Sequence, residues 1–251
     1  MTTIAFLGVR FAACDMAATL AWVDARVGGA GFAYVVTPNV DHIVTLHEDG
    51  GEPWRAAYRQ AVDAADLVVN DSRVLARLAA LSGKSLPLVP GSDLLRHLMP
   101  RLAAREGALV LVGGNEREAQ WLRQALPRWR IAHCDPPMGV REDARAQQAI
   151  AEFVEREHAE IVLFAIGAPQ SELVAHLLAR RGHAGGVGLC IGASVEFLSG
   201  AKRRAPAWVQ SLGLEWAHRL TSEPQRLWRR YLVKGPRVFA LWWAERNQRA
   251  G

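Results

Sequence analysis

The chain has 251 residues, half of them apolar and 22% charged, with a formal net charge of +5. That composition supports one large core, or one core plus an appendage, and excludes a disordered or fibrous chain. Three widely separated cysteines (Cys14, Cys134, Cys190) with no CxxC exclude a disulfide framework and read as small core residues of a reducing, cytoplasmic compartment.

The N-terminal MTTIAFLGVRF lacks a basic segment followed by a long apolar one, so no signal peptide is expected. Apolar runs follow at 4–9, 32–37, 66–70, 108–114, 130–134, 160–167 and 186–193. Each is strand-sized, so none is expected to cross a membrane. Between them lie stretches of helical periodicity, among them 15–27, 71–81, 93–105, 116–126 and 143–157. Continuous apolar strands alternating with such helices predict an α/β fold, a Rossmann-like and mostly parallel sheet sandwiched by helices. Near residue 200 the pattern changes. No strand signal follows; short helical pieces are expected at 206–212, 214–220, 224–232 and 236–247, with a capping box formed by Ser222 and Gln225. The expected organisation is a catalytic α/β domain over 1–200 and a helical appendage over 201–251.

Charge follows the same division. Residues 1–201 carry 19 Lys and Arg against 22 Asp and Glu, whereas residues 202–251 carry 11 against 3 and five of the nine tryptophans. Basicity this local predicts an anionic partner for the tail: nucleic acid, an anionic membrane or a phosphorylated substrate.

Ligands of open α/β sheets bind beyond the carboxyl ends of the strands, so the residues that follow each run carry the interest. Thr37 and Asn39 follow the second run in TPNVDH; Asn39 reads equally as a helix cap. Asp71 follows the third in NDSRVL, either as another cap or as a general base. Gly113 and Gly114 follow the fourth, where they would let backbone amides approach an anion or simply make a tight turn. Glu172 and Glu196 are further carboxylates at strand ends. There is no HExxH, no zinc-spaced His/Cys cluster, no DxD triplet and no GxSxG, so neither a metal nor a cofactor is expected. Arg219, Arg226 and Arg229 recur at spacings of seven and three, suited to bidentate contact with phosphates.

Taken in order, TPN, ND, VPGSDLL (89–95), LVGG, PPMG (136–139), GAP..E, IGASVEFLSG, RAPAW and GLEWAHRLTSEPQRLWRRYL resemble the WecG/TagA/CpsF family of bacterial glycosyltransferases over roughly residues 4–235. The resemblance implies an inverting, metal-independent hexosyl transfer from a UDP-sugar to a saccharide on an undecaprenyl-diphosphate carrier, at the inner face of the cell membrane. N-acetylmannosamine, its uronic acid and glucose are the donor sugars it suggests. By position it makes Asp71 the base, Thr37 and Asn39 pocket residues, and Arg219, Arg226 and Arg229 the arginines that meet the diphosphate. Self-association is also implied, as homo-oligomers. Three positions depart from the family's pattern: Gln170-Ser171-Glu172 stands for Lys-Gln-Glu, Glu196 for Asp, and Ser72 for Gly. The competing reading is a nucleotide- or nucleic-acid-binding α/β protein without transferase activity. FLGVRF lacks the dinucleotide-binding glycines, and a nucleic-acid module leaves the strand-end polar residues without a purpose, so no nucleic-acid partner is expected.

Overall fold

The computed structural model describes residues 1–48, 50–201, 217, 220, 221 and 224–248; of 226, 227, 230 and 231 it describes the backbone alone. The chain opens with β1 (Thr3–Phe6) and β2 (Val9–Ala12), which pair antiparallel as a hairpin. The run at 4–9 was expected to be one strand of the parallel sheet. It turns back on itself because Leu7 and Gly8 are both left-handed, at φ of 48° and 68°. Two successive left-handed residues make the tight turn whose twist suits a hairpin, and an apolar leucine at the first of them disguises it.

The main sheet has six strands, all parallel: β3 (Ala33–Val36), β4 (Leu67–Val68), β5 (Gly107–Gly113), β6 (Trp129–Cys134), β7 (Ile161–Ala165) and β8 (Val187–Cys190). Their spatial order is β4-β3-β8-β7-β5-β6. Side chains alternate between the two faces. Val35, Leu67, Leu109, Leu111, Leu163 and Leu189 enter one core, where α1 (Met16–Asp24), α5 (Gly91–Ala103), α6 (Glu116–Ala125) and α9 (Ser194–Leu198) cover them. Tyr34, Val36, Val110, Val112, Val162 and Phe164 enter the other, under α2 (Val40–Leu46), α3 (Pro53–Asp63), α4 (Arg73–Leu81), α7 (Ala144–Arg156) and α8 (Gln170–Arg181). Burial on both faces explains why these strands read as unbroken apolar runs.

The tail contributes α10 (Pro224–Trp228), a π-helical stretch (Arg229–Lys234) and α11 (Arg237–Gln248). The pieces expected at 206–212 and 214–220, and the Ser222 capping box, lie outside the described residues apart from Ala217 and Leu220. α11 is seated on the body. Val238 is 1% exposed within the core shared by α2 and α3, and Leu241 and Trp242 pack against that core. The Trp242 indole donates to Ser82 Oγ at 2.7 Å. The Glu245 carboxylate pairs with Lys84 at 2.8 Å and accepts the backbone N–H of Leu7 in the hairpin turn. At the other end of the helix, Glu48 meets Lys234 Nζ at 3.0 Å, Arg55 at 3.2 Å and Arg237 at 3.6 Å. Burial pushes the Glu48 carboxyl up, but hydrogen bonds from Lys234 and Arg55 outweigh it and hold it below the usual carboxylate range.

A lowered folded-state pKa means that the Glu48 contribution is complete above the unfolded value of about 4.3 and is lost as pH falls through the folded one. Mild acid, below about pH 4.3, is therefore expected to loosen the tail, read as faster proteolysis around residues 229–237. Val238→Asp should do the same at neutral pH by burying an unpaired charge. An unchanged trypsin pattern in that variant would show that α11 is not held by its apolar face.

Candidate active site

The carboxyl ends of β3 and β4 are joined by more than strand pairing. Val36 aligns with Val68, Val69 N–H donates to Val36 O at 3.0 Å, and Asp71 N–H donates to Pro38 O at 3.1 Å. The parallel ladder thus continues past the strands and brings the TPN segment beside Asp71. From the other side Val89 N–H donates to Asn70 O at 2.8 Å, which draws in the VPGSDLL segment.

Asp71 does not cap α4. Ser72 does: its hydroxyl accepts the N–H of Leu75 at 3.3 Å, and its own N–H is taken by Asn70 Oδ1 at 2.9 Å. The cap reading of Asp71 fails because the helix starts one residue later than such a cap requires. Asp71 is turned instead toward α5, whose first residue, Gly91, donates its N–H to Asp71 Oδ1 at 2.8 Å. A carboxylate at a helix N-terminus gains from the partial positive charge there. Gly91 is also the closest link to Thr37, since a Cβ built on it would lie 3.3 Å from Thr37 Oγ1 and 3.4 Å from Ser194 Oγ. The Thr37 hydroxyl is buried and donates to Cys190 O at 2.9 Å, which ties the end of β3 to that of β8. Thr37, Asp71 and Gly91 therefore form one small constellation.

Asn39 joins it as the cap of α2. Its Oδ1 accepts from Asp41 N at 3.0 Å and His42 N at 3.5 Å, and His42 Nδ1 lies 3.0 Å away. The other nitrogen of His42 lies 3.5 Å from Oε1 of Glu172, which is 1% exposed at the start of α8. Around this pair is a buried polar cluster. Tyr34 donates to Ala61 O and meets His176 Nδ1 at 3.2 Å, while Tyr58 Oη, Ser171 Oγ, Gln170 Oε1, Glu172 Oε2 and His176 Nε2 have no hydrogen-bond partner among the described residues. Burial, reinforced by the Glu172 charge, pushes the Tyr58 phenol and the Cys190 thiol well up, and burial with Cys190, Asp66 and Glu172 does the same to Tyr34. Burial and then Arg180 lower His176. All four are held neutral around one buried carboxylate.

The structure does not bring every expected residue to this point. Gly113 ends β5 and Gly114 follows it, three strand positions from β3 and so about 14 Å away across the sheet. Both are left-handed, at φ of 81° and 71°, and a Cβ would fall 2.4 Å from Ile166 Cγ2 and 2.2 Å from Glu118 Oε2 respectively. The amides after them are engaged internally: Asn115 Oδ1 accepts from Arg117 N and Glu118 N, and Glu118 Oε2 accepts from Asn115 N. The turn alone accounts for both glycines. Arg219 lies outside the described residues, and of Arg226 only the backbone is described, within α10. Arg229 is exposed, its guanidinium 5.3 Å from the Trp228 ring. His42 and Gly91 carried no role in the sequence reading. The available signals were a histidine three residues after a capping asparagine and a glycine directly after Pro90.

The constellation stands at the carboxyl ends of β3 and β4, the side of an open α/β sheet on which ligands generally bind. The chain leaves β3 for β4 toward one edge and β5 for β6 toward the other, so the connections diverge over the central β8 and β7. The description Glycosyl transferase WecG/TagA/CpsF family matches residues 4–251, essentially the whole chain. The chain belongs to this family of glycosyltransferases. Membership supplies transferase chemistry in the synthesis of cell-surface polymers.

Because Ser72 and not Asp71 caps α4, Ser72→Ala is expected to cost about 1 kcal/mol of stability, measurable by urea denaturation. Asp71→Ala removes the Gly91 contact at α5 instead, so amide exchange at Leu75 N–H should speed up in Ser72→Ala and not in Asp71→Ala; the reverse would contradict the assignment.

Proposed function

We propose that this glycosyltransferase moves a hexosyl group from a UDP-sugar to a saccharide on an undecaprenyl-diphosphate carrier by single displacement with inversion, without a metal. The observation that carries the reading is the setting of Asp71: a carboxylate oriented by the Gly91 N–H at the open end of the sheet, beside Thr37 and Asn39. The acceptor hydroxyl attacks the anomeric carbon as the bond from that carbon to the diphosphate oxygen breaks. Asp71 takes the hydroxyl proton and UDP departs. One base suffices for this chemistry, because no covalent intermediate has to be made and resolved.

The leaving diphosphate gains charge as the bond breaks, and Arg219, Arg226 and Arg229 are the cations suited to offset it. Thr37 and Asn39 would orient the donor. The family implies a sugar-nucleotide donor and a lipid-linked acceptor, and the tail suits work at such a lipid surface. Trp228, Leu232, Val233, Phe239 and Trp243 are exposed near Arg229 and Arg246, while Lys234 and Arg237 are paired with Glu48. Apolar and aromatic anchors among basic residues favour an anionic leaflet, each basic residue adding about 1 kcal/mol. Among the described residues no helix is long and apolar enough to cross a membrane, so attachment would be peripheral, from the cytoplasmic side.

Two measurements test this. UDP release from a UDP-sugar panel, in EDTA and with a short-chain lipid-diphosphate saccharide, should depend on the acceptor. In Asp71→Asn it should fall by at least about 10²-fold, the scale of a lost general base, with UDP binding retained; an active Asp71→Asn enzyme would refute the assignment. Separately, replacing Phe239 and Trp243 with glutamate should abolish co-sedimentation with anionic vesicles. Unaltered co-sedimentation would remove α11 from the membrane contact.

A further inference from the structure

Asn39 meets its surroundings through an amide whose two ends differ, one accepting and one donating. Its Oδ1 faces three groups on α2: Asp41 N at 3.0 Å, His42 N at 3.5 Å and His42 Nδ1 at 3.0 Å. An oxygen with only lone pairs lies that close to a ring nitrogen when the nitrogen carries a hydrogen, so Nδ1 is the donor. The alternative, Nδ1 accepting from Asn39 N, is the longer contact at 3.4 Å. With Nδ1 turned to Asn39, the other ring nitrogen, Nε2, faces Glu172 Oε1 at 3.5 Å. His42 thus stands between Glu172 and Asn39, one ring nitrogen toward each.

Glu172 is an unusual residue to bury for its own sake. It is 1% exposed, and among the described residues neither its Oε2 nor the Tyr58 hydroxyl in the same buried cluster has a partner. Leaving carboxylate oxygens unsatisfied in a protein interior costs stability, and an apolar residue would serve packing better. The carboxylate is placed instead where it reaches the strand-end constellation through a single imidazole.

We propose that Glu172 and His42 are positioning residues that hold Asn39 in one amide orientation, with Oδ1 committed to α2 and the Nδ2 hydrogens reserved for an oxygen acceptor of the sugar-nucleotide donor. The inference rests on the functional reading above and specifies what Asn39 recognises: a phosphate, carbonyl or hydroxyl oxygen that accepts, not a group that donates. Neither positioning residue touches the reacting atoms. Their loss is felt in donor binding, since a phosphate or sugar oxygen needs the contact before and during transfer alike.

The test is a double-mutant cycle with His42→Gln and Glu172→Gln, read by steady-state kinetics with the UDP-sugar and by calorimetry with UDP. Glutamine at the third helical position can accept the Asn39 N–H in a capping box, so His42→Gln keeps the helix start while severing the link to Glu172. Glu172→Gln keeps the shape and removes the charge. Each single variant should raise KM for the donor about 5- to 10-fold, with kcat within about twofold and the melting temperature within a few degrees. The double variant should be no worse than either single, because both act through one path. A KM unchanged in either single variant, or a double variant whose loss is the product of the two, overturns the proposal. If Glu172→Gln does not fold, His42→Gln alone decides, through KM at unchanged melting temperature. A wild-type chain that neither binds UDP nor releases it from any UDP-sugar overturns the functional reading and this inference together. Wild-type turnover with insensitive variants overturns the inference alone.

Discussion

The site depends on the parallel pairing of β3 with β4 and its continuation beyond the strands. Val69 to Val36 and Asp71 to Pro38 are backbone bonds between segments some thirty residues apart in the chain, and they set Asp71 beside TPN. A slip of one residue in that register would turn each side chain of one strand to the opposite face of the sheet. Tyr34 would leave the core beneath α3, and Val35 would leave the one beneath α5. The apolar alternation that stabilises two helix layers is therefore the same constraint that aligns the carboxyl ends. Core packing and site geometry are one requirement here.

Helix starts divide the remaining work. Each turn after a strand must satisfy the first N–H groups of the next helix, and in this chain different residues do so. Ser72 caps α4 and leaves Asp71 to the N–H of Gly91. Asn39 caps α2 with one end of its amide and keeps the other in hand. Asn115 and Glu118 close the start of α6 between them. The start of α8 has no side-chain cap, and Glu172 there is drawn toward His42. Capping and ligand binding compete for the same polar residues, and the position where each helix begins decides which residues are released.

The tail shows how composition misleads about allocation. Tryptophan and arginine at its end predicted an anionic partner for the tail. In the structure Val238, Leu241 and Trp242 are spent on the body, and Lys234 and Arg237 face Glu48. What remains outward is narrower: Phe239 and Trp243 on α11, with Trp228, Leu232 and Val233 before it. α11 also links the hairpin turn, through Glu245 and Leu7, to the region of α2. The hairpin that looked like the first strand of the sheet thus serves partly as a seat for the last helix.

By itself the sequence determined the fold class, six of the main sheet's strands and the starts of several helices, because these follow from local periodicity and from burial on both faces. It also placed Thr37, Asn39 and Asp71 at strand ends, since polar residues directly after apolar runs are visible in one dimension. It left open whether Asn39 and Asp71 were caps or working groups, because a cap and a base differ by a single residue of helix register. The hairpin at 4–9 was hidden for a similar reason: left-handed backbone at Leu7 is a conformation, and no residue type announces it. Only the tertiary structure could join Asp71 to Gly91, Asn39 to Glu172 through His42, and α11 to the body. Those contacts span from 20 to over 200 residues of chain, and non-local hydrogen bonds are set by how strands and helices stack, which no local pattern records.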